Sequence, residues 1–276
     1  MINLPLPLPD ITPERIFEEC ANGYHDEGKR RKLKQYKGCV ENDSEVYGSV
    51  VTCPSGAFSF SAVPDDDIGI LSALYTEKFA KGPGRRYYDQ IIRQAPLGIC
   101  PICGISMAET LDHYLPKSKF PTLSVTPANL IPACRDCNTR KGNNSAPIVH
   151  LYLDIVPNGD WLHVKLDEEL TPVYYVSCSE NWDMELIHRI ESYFNVFRLG
   201  ALYAAHAAQE IAGKIYCWRV LSGQGLSALE DAIKLEADGL KHADRNSWKA
   251  ALYRSLKENA RVVEAYLSAT SPMSKD

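Results

Sequence analysis

CPICGISMAETLDHYLPKSKFPTLSVTPANLIPACRDCNTRK, residues 100–141, is the stretch around which the chain is organised. It holds two Cys-x-x-Cys pairs, Cys100/Cys103 and Cys134/Cys137, with thirty residues between them. A Cys-x-x-Cys turn aims two thiolates at one ion, and two such turns complete a tetrahedral shell of four thiolates, the arrangement of structural zinc. Pro101 and Gly104 suit the first turn. A shell of four protein ligands is closed, so this zinc is expected to fold the segment rather than catalyse. Redox use of the pairs would call for a thioredoxin-like setting, and none surrounds them.

The enclosed residues add chemistry. Asp112 offers a hard oxygen suited to Mg²⁺ or Mn²⁺. His113, next in the chain, titrates near neutrality and can serve as a base. Adjacent residues on a strand point to opposite sides, so the two can divide the roles of ligand and base. Asn138 follows the second knuckle, where a helix would begin, and its amide oxygen can be a second ligand. Asn129 can hydrogen-bond backbone and pin the intervening loop. Taken singly, an Asp-His pair is usually a surface pair, and an Asn near a turn is usually a cap.

Together they resemble a known pattern. LDHYLPKS…NLIPACRDCNTRKG is similar to the signature of the HNH endonucleases, within the ββα-metal nucleases. Leu111-Asp112-His113, Pro116, Asn129-Leu130, Cys134, Cys137-Asn138 and Lys141 carry the resemblance, which covers roughly residues 96–145. The last position is Asn138 rather than His, an H-N-N variant. The resemblance implies catalytic roles for Asp112, His113, Asn129 and Asn138. His113 would take a proton from a water attacking phosphorus. Asp112 and Asn138 would hold one catalytic divalent ion (Mg²⁺ or Mn²⁺) on a phosphate oxygen and the leaving 3′ oxygen, giving 5′-phosphate and 3′-hydroxyl ends. Asn129 would orient the loop and His113. Lys117, Lys119, Arg135, Arg140 and Lys141 are candidate phosphate contacts by charge and proximity in sequence. The substrate is expected to be nucleic acid, DNA before RNA. The flanks, YYDQIIRQAPLGICPICG and DHYLPKSKFP, more loosely resemble HNH proteins of bacterial anti-phage and mobile-element modules, which implies a partner ATPase or sensor. Two competing readings are a zinc-ribbon nucleic-acid binder without catalysis and an adaptor working through its helical half.

Composition fits this picture. The 276 residues, 45% hydrophobic and 24% charged, suffice for one large or two modest globular domains. No stretch is apolar enough to span a bilayer, so no membrane partner is expected. MINLPLPLPD is broken by Pro5, Pro7 and Pro9 and lacks a basic n-region; it reads as an extended surface arm rather than a signal peptide, and the expected location is cytoplasmic. Cys20, Cys39, Cys53, Cys178 and Cys217 are scattered and odd in number, and read as reduced thiols, buried or partly buried. The net charge of −5 conceals an asymmetry: residues 81–145 hold nine basic and four acidic residues, a local +5. A basic centre in an acidic body suggests a localised polyanion site.

Outside the centre, α+β is the expected class: a mainly helical protein around a zinc-stapled core, with a small β-hairpin region after it. The expected organisation is a mostly helical region (1–95) with the basic run KRRKLKQYK (Lys29 to Lys37), the nuclease-like core (96–147), and a hairpin followed by helices (148–276). The basic run can contact phosphates or form a solvated helix face. Thr12 to Asn22 reads as a helix, Glu45 to Thr52 as a strand, and Pro54, Ser55 and Gly56 as a turn. Asp65 to Asp67 reads as a helix start, followed by a second helix from Arg85 to Gln94. Tyr87 and Tyr88 can stack on bases, but core packing fits their spacing better. Strands are expected at Ile148 to Val156 and Trp161 to Leu166 around a Pro157–Asp160 loop, with a third from Val173 to Cys178. His150 reads as a structural or surface residue rather than a further ligand. From Asn181 the pattern is helical, running on to Trp218. Ser222 to Gly225 breaks it, a helix follows from Ser227, and a last amphipathic helix carries Trp248 to Leu267.

Overall fold

The computed structural model describes residues 4–52 and 59–270. The chain is α+β, mainly helical, with two small two-stranded sheets. It divides into two compact units, one up to Val156 and one from Pro157 onward. The turn expected at Pro54–Gly56 and the thiol of Cys53 lie outside the described residues; of the other scattered thiols, Cys20 is buried and Cys39 and Cys178 are half-buried, but Cys217 is exposed rather than buried.

In the first unit, α1 (Pro13–Asn22), α2 (Glu27–Lys34), α3 (Lys37–Thr52), α4 (Asp65–Leu74) and α5 (Arg85–Ile92) surround the central segment. Thr12 precedes α1 in extended backbone and Pro13 supplies its first turn. Asp26 caps α2 by accepting the Lys29 amide at 2.9 Å. Asp65, Asp66 and Asp67 open α4, where the positive helix end favours carboxylates. A π-helical turn, Tyr75–Phe79, extends α4. Ile16, Phe17, Leu33, Val40, Leu71, Phe79 and Ile91 form one core with Leu111, Val125 and Leu130 of the central segment. Tyr87 joins this core, its hydroxyl donating to Glu19.

Glu45–Thr52 is the end of helix α3, not a strand. Val50, Val51 and Thr52 favour strands locally, but Val40, Asp43, Tyr47 and Val51 recur at helical steps and all are buried. Tertiary burial of that face decides the outcome. Ile148 to Val156 is likewise not a strand. Ile148, Val149, Leu151 and Tyr152 are buried, yet their backbone is satisfied by other means. The Tyr114 hydroxyl donates to Ile148 O at 2.7 Å, and Leu4 N donates to Leu151 O at 2.8 Å. The N-terminal arm is thus tied down rather than loose at Leu4.

The central segment forms a hairpin and a short helix. β1 (Thr110–His113) pairs antiparallel with β2 (Leu130–Ala133), with Asp112 opposite Ile131 and His113 opposite Leu130. α6 (Arg135–Lys141) follows directly, and Gly142 ends it with φ 51°, a conformation glycine adopts without steric cost.

In the second unit β3 (Leu162–Leu166) pairs antiparallel with β4 (Pro172–Val176). The hairpin therefore joins the second and third expected strands. Its loop is built on Asp167, whose carboxylate accepts from Glu169 N and Thr171 N. Helices α7 (Met184–Val196), α8 (Leu199–Ser222), α9 (Leu226–Asp244), α10 (Trp248–Glu258) and α11 (Ala260–Ala269) complete it. The run from Asn181 to Trp218 is two helices, because Arg198 turns left-handed at φ 50°. The last helix is also two, divided at Asn259, whose amide donates back to Ser255 O.

Candidate active site and metal centre

Two knuckles build the metal centre. Cys100, Cys103, Cys134 and Cys137 are all buried, with their sulfurs within 4.8 Å of one another. Tetrahedral zinc with sulfur at about 2.3 Å sets sulfurs about 3.8 Å apart; Cys103 Sγ and Cys134 Sγ lie 3.9 Å apart. The donor set fits the ion. Gly104, at φ 68°, closes the first knuckle, and its amide donates to Cys100 O at 2.8 Å. Cys134 closes the second by accepting the Cys137 amide at the start of α6. Thiols this close set one another's ionisation in opposite directions: hydrogen bonding within the cluster draws Cys103 and Cys134 down and holds Cys100 and Cys137 up.

The hairpin carries Asp112 and His113 to the junction of β1, β2 and α6. Both are buried. His113 Nε2 lies 2.9 Å from Ser124 O. A carbonyl only accepts, so Nε2 carries the hydrogen and Nδ1 is left with a lone pair. Burial pushes the imidazole down to about 3, with Lys117 and Lys141 adding to that effect against the Ser124 bond. The ring is therefore neutral at physiological pH. Tyr75 meets it edge-on, with centroids 4.4 Å apart. Burial raises Asp112 to about 7, and Lys141 opposes the rise. Lys141 is itself buried; its ammonium lies 3.6 Å from Asp112 Oδ1 and donates to His113 O.

Asn138, on α6, turns its amide nitrogen to Thr110 Oγ1 at 3.1 Å and Leu111 O at 3.5 Å, beside Asp112 on β1. Asn129 is fully buried and spans the loop. Its Oδ1 accepts from Leu115 N at 2.7 Å, and its Nδ2 donates to Leu115 O at 3.0 Å and Leu123 O at 3.2 Å. The remaining cations are dispersed. Lys117 reaches Ser72 O at 3.5 Å and lies over Tyr75, Lys119 reaches Ser145 Oγ at 3.1 Å, and Arg135 pairs with Glu109 at 3.0 Å. Arg140 lies in the last turn of α6. Lys141 differs from these four in being interior.

The sequence reading missed the support behind the loop. Tyr47 on α3 donates its hydroxyl to Asn129 Oδ1 at 3.1 Å and contacts His150 Nε2 at 2.9 Å. The Tyr152 amide donates to His150 Nδ1, so Nε2 carries the hydrogen and donates to Tyr47. A donation chain thus runs from His150 through Tyr47 to Asn129. Asp43, also on α3, accepts from Thr122 Oγ1 and from Ser61. On α4, Leu71 O accepts from Ser124 Oγ at 2.9 Å, beside the carbonyl that holds His113. The helical spacing of Val40, Asp43, Tyr47 and Val51 was the available signal.

A short antiparallel hairpin closed by a helix and stapled by four thiols, with Asp-His at the end of the first strand, is the ββα-metal arrangement; Asn138 lies midway along the helix, which begins at Arg135 inside the second knuckle rather than after it. Residues 100–144 match the family described as HNH endonuclease, and this segment is an HNH domain. The chain is 26% identical over 231 residues to Protein ea31 of Escherichia phage lambda, covering 75% of this chain and 77% of that protein. It is 29% identical over 91 residues to Septu protein PtuB of Bacillus thuringiensis, covering 30% of this chain and 34% of that protein. No solved structure matches. No helix among the described residues is long and apolar enough to cross a membrane.

Proposed function

We propose that the protein is a metal-dependent endonuclease that hydrolyses phosphodiester bonds, with DNA as substrate. The hydrogen bond from His113 Nε2 to Ser124 O carries the reading, because it fixes the tautomer in which Nδ1 is a base. Burial makes the imidazolium costly, so proton transfer to His113 is favoured only when the anionic phosphate is beside it. Water is held for in-line attack by that ring, and Asn129 sets the loop on which it depends. Asp112 and Asn138 would hold a divalent cation, which when bound supplies positive charge against the phosphate and the leaving oxygen. Lys141 keeps Asp112 from standing as an uncompensated buried charge. Lys117, Lys119, Arg135 and Arg140 are the phosphate contacts in this reading. The four-cysteine cluster would hold structural zinc.

The partial likeness to Septu protein PtuB favours a role in anti-phage defence; a cytoplasmic location and a partner ATPase or sensor protein belong to the same proposal. The test is supercoiled plasmid with and without Mg²⁺ or Mn²⁺, beside His113→Ala. Metal-dependent nicking lost in the variant is the expected result. Plasmid binding by both proteins with cleavage by neither favours a zinc-ribbon binding module instead.

A further inference from the structure

The run of N-terminal cations is carried on elements joined to the one that touches the active site: Lys32 of α2 pairs with Asp67 of α4, and the π-helical turn that extends α4 carries Tyr75. From His113 the first neighbour is Tyr75, 4.4 Å away between centroids. Lys117 Nζ lies 5.4 Å from the Tyr75 centroid. Tyr75 opens the π-helical turn, closed by Ala80 N donating to Tyr75 O at 2.8 Å. In an α-helix, residues three apart share a face. The wider π turn rotates Lys78 away from Tyr75 and onto Tyr24, with Nζ 4.4 Å from that ring centroid. Lys29 Nζ, from α2, approaches the same ring at 5.3 Å. Beyond it, Arg31 and Lys34 stand exposed on α2, whose Leu33 faces the core.

Pairing separates these cations from their neighbours. Arg30 is matched by Glu27, Lys32 by Asp67 and Lys37 by Glu18. Lys29, Arg31, Lys34 and Lys78 have no acidic partner among the described residues. The acids nearest them are accounted for: Asp26 caps α2, Glu27 holds Arg30, and Glu77 stands beside Tyr24. Two ammonium groups converge on the Tyr24 ring beside a single carboxylate, Glu77, which leaves net positive charge there for an anion to meet.

We propose that this run is a track for the phosphate backbone of the substrate, leading nucleic acid from His113 past Lys117 and Lys78 onto α2. The inference rests on the nuclease reading and extends its footprint well outside the HNH segment. Phosphate contacts carry no base code, so the track positions the duplex and adds affinity without sequence preference.

The test separates the two readings. Binding of a 30-base-pair labelled duplex is followed by anisotropy from about 50 to 200 mM salt, using full-length His113→Ala so that nothing is cut. Replacing Lys29, Arg31 and Lys34 by Gln together is expected to flatten the slope of log affinity against log salt by about 2.7, roughly 0.9 per phosphate. Lys78→Gln alone is expected to remove about 0.9. Lys165, Lys234 and Lys241, changed to Gln together in the second unit, supply a control of equal charge and should leave the slope unaltered. A slope unchanged in the α2 variant, equal losses in the control, or no duplex binding at all overturns the track. Failure of the wild-type protein to nick plasmid instead overturns the nuclease reading.

Discussion

Replacing Asn129 by Asp changes one buried atom group and nothing in volume. Asn129 Nδ2 faces two carbonyl oxygens, Leu115 O and Leu123 O, while its Oδ1 faces two donors, Leu115 N and the Tyr47 hydroxyl. In Asn129→Asp an oxygen meets the two carbonyls. The new group must therefore be protonated in the folded protein, although an unfolded Asp has a pKa of about 3.9. At about 1.4 kcal/mol per pH unit, holding it neutral at pH 7 costs about 4 kcal/mol. A folded-state pKa raised above the unfolded one destabilises above the unfolded value. The penalty is thus small near pH 4 and grows by about 1.4 kcal/mol per unit as pH rises, until the folded pKa is passed. Urea unfolding of Asn129→Asp and wild type at several pH values between 4 and 8 reads this difference directly. A difference that does not change with pH would refute the assigned orientation of the amide and, with it, the description of the loop anchor.

Other outcomes follow from the same geometry. Tyr47→Phe should cost about 1–2 kcal/mol, because it leaves the His150 Nε2 hydrogen without its acceptor, and should lower kcat with KM nearly unchanged; unfolding and steady-state cleavage check both. Cys137→Ser should abolish tight retention of one zinc per chain, read by elemental analysis, and melt the HNH segment, since structural zinc contributes on the order of 10 kcal/mol to such sites. Asp160 is raised by its burial, but Arg245 and Arg254 more than offset this and leave it below its ordinary value. Its contribution is therefore present above about pH 4 and lost as pH falls through the folded value, so Asp160→Asn and wild type should converge in stability in strong acid. Leu97 is fully exposed at φ 55°, so Leu97→Asn should raise stability by about 0.5–1 kcal/mol in thermal unfolding, without loss of packing.

The core of the site was legible because its constraints are local. Zinc spacing, the Asp-His step and the Asn after the second knuckle lie within about forty residues and demand particular side chains. The support behind the loop was not legible, because it depends on which elements meet. Tyr47 lies 82 positions before Asn129, in a run whose β-branched residues argue for a strand. Only packing against the loop reveals that run as a helix. Arg198 shows a different limit: it turns left-handed without Gly or Asn, so no residue type announced the break between α7 and α8. The buried run from Ile148 to Tyr152 shows a third. An apolar stretch signals burial, but a strand also needs a partner for its backbone, and here side-chain hydroxyls and the N-terminal arm take that place.

The anchoring of Asn129 by Tyr47 bears on how transplantable the HNH segment is. Lifted out at residues 100–144, it would keep all four thiols and every residue of the motif. It would lose Tyr47 from behind the amide and Leu71 O from Ser124, the residue whose carbonyl fixes the His113 tautomer. The motif is therefore less a cassette than an insert grown into its host, and grafting it elsewhere would require the acceptor scaffold to supply a phenol and a carbonyl at those two places.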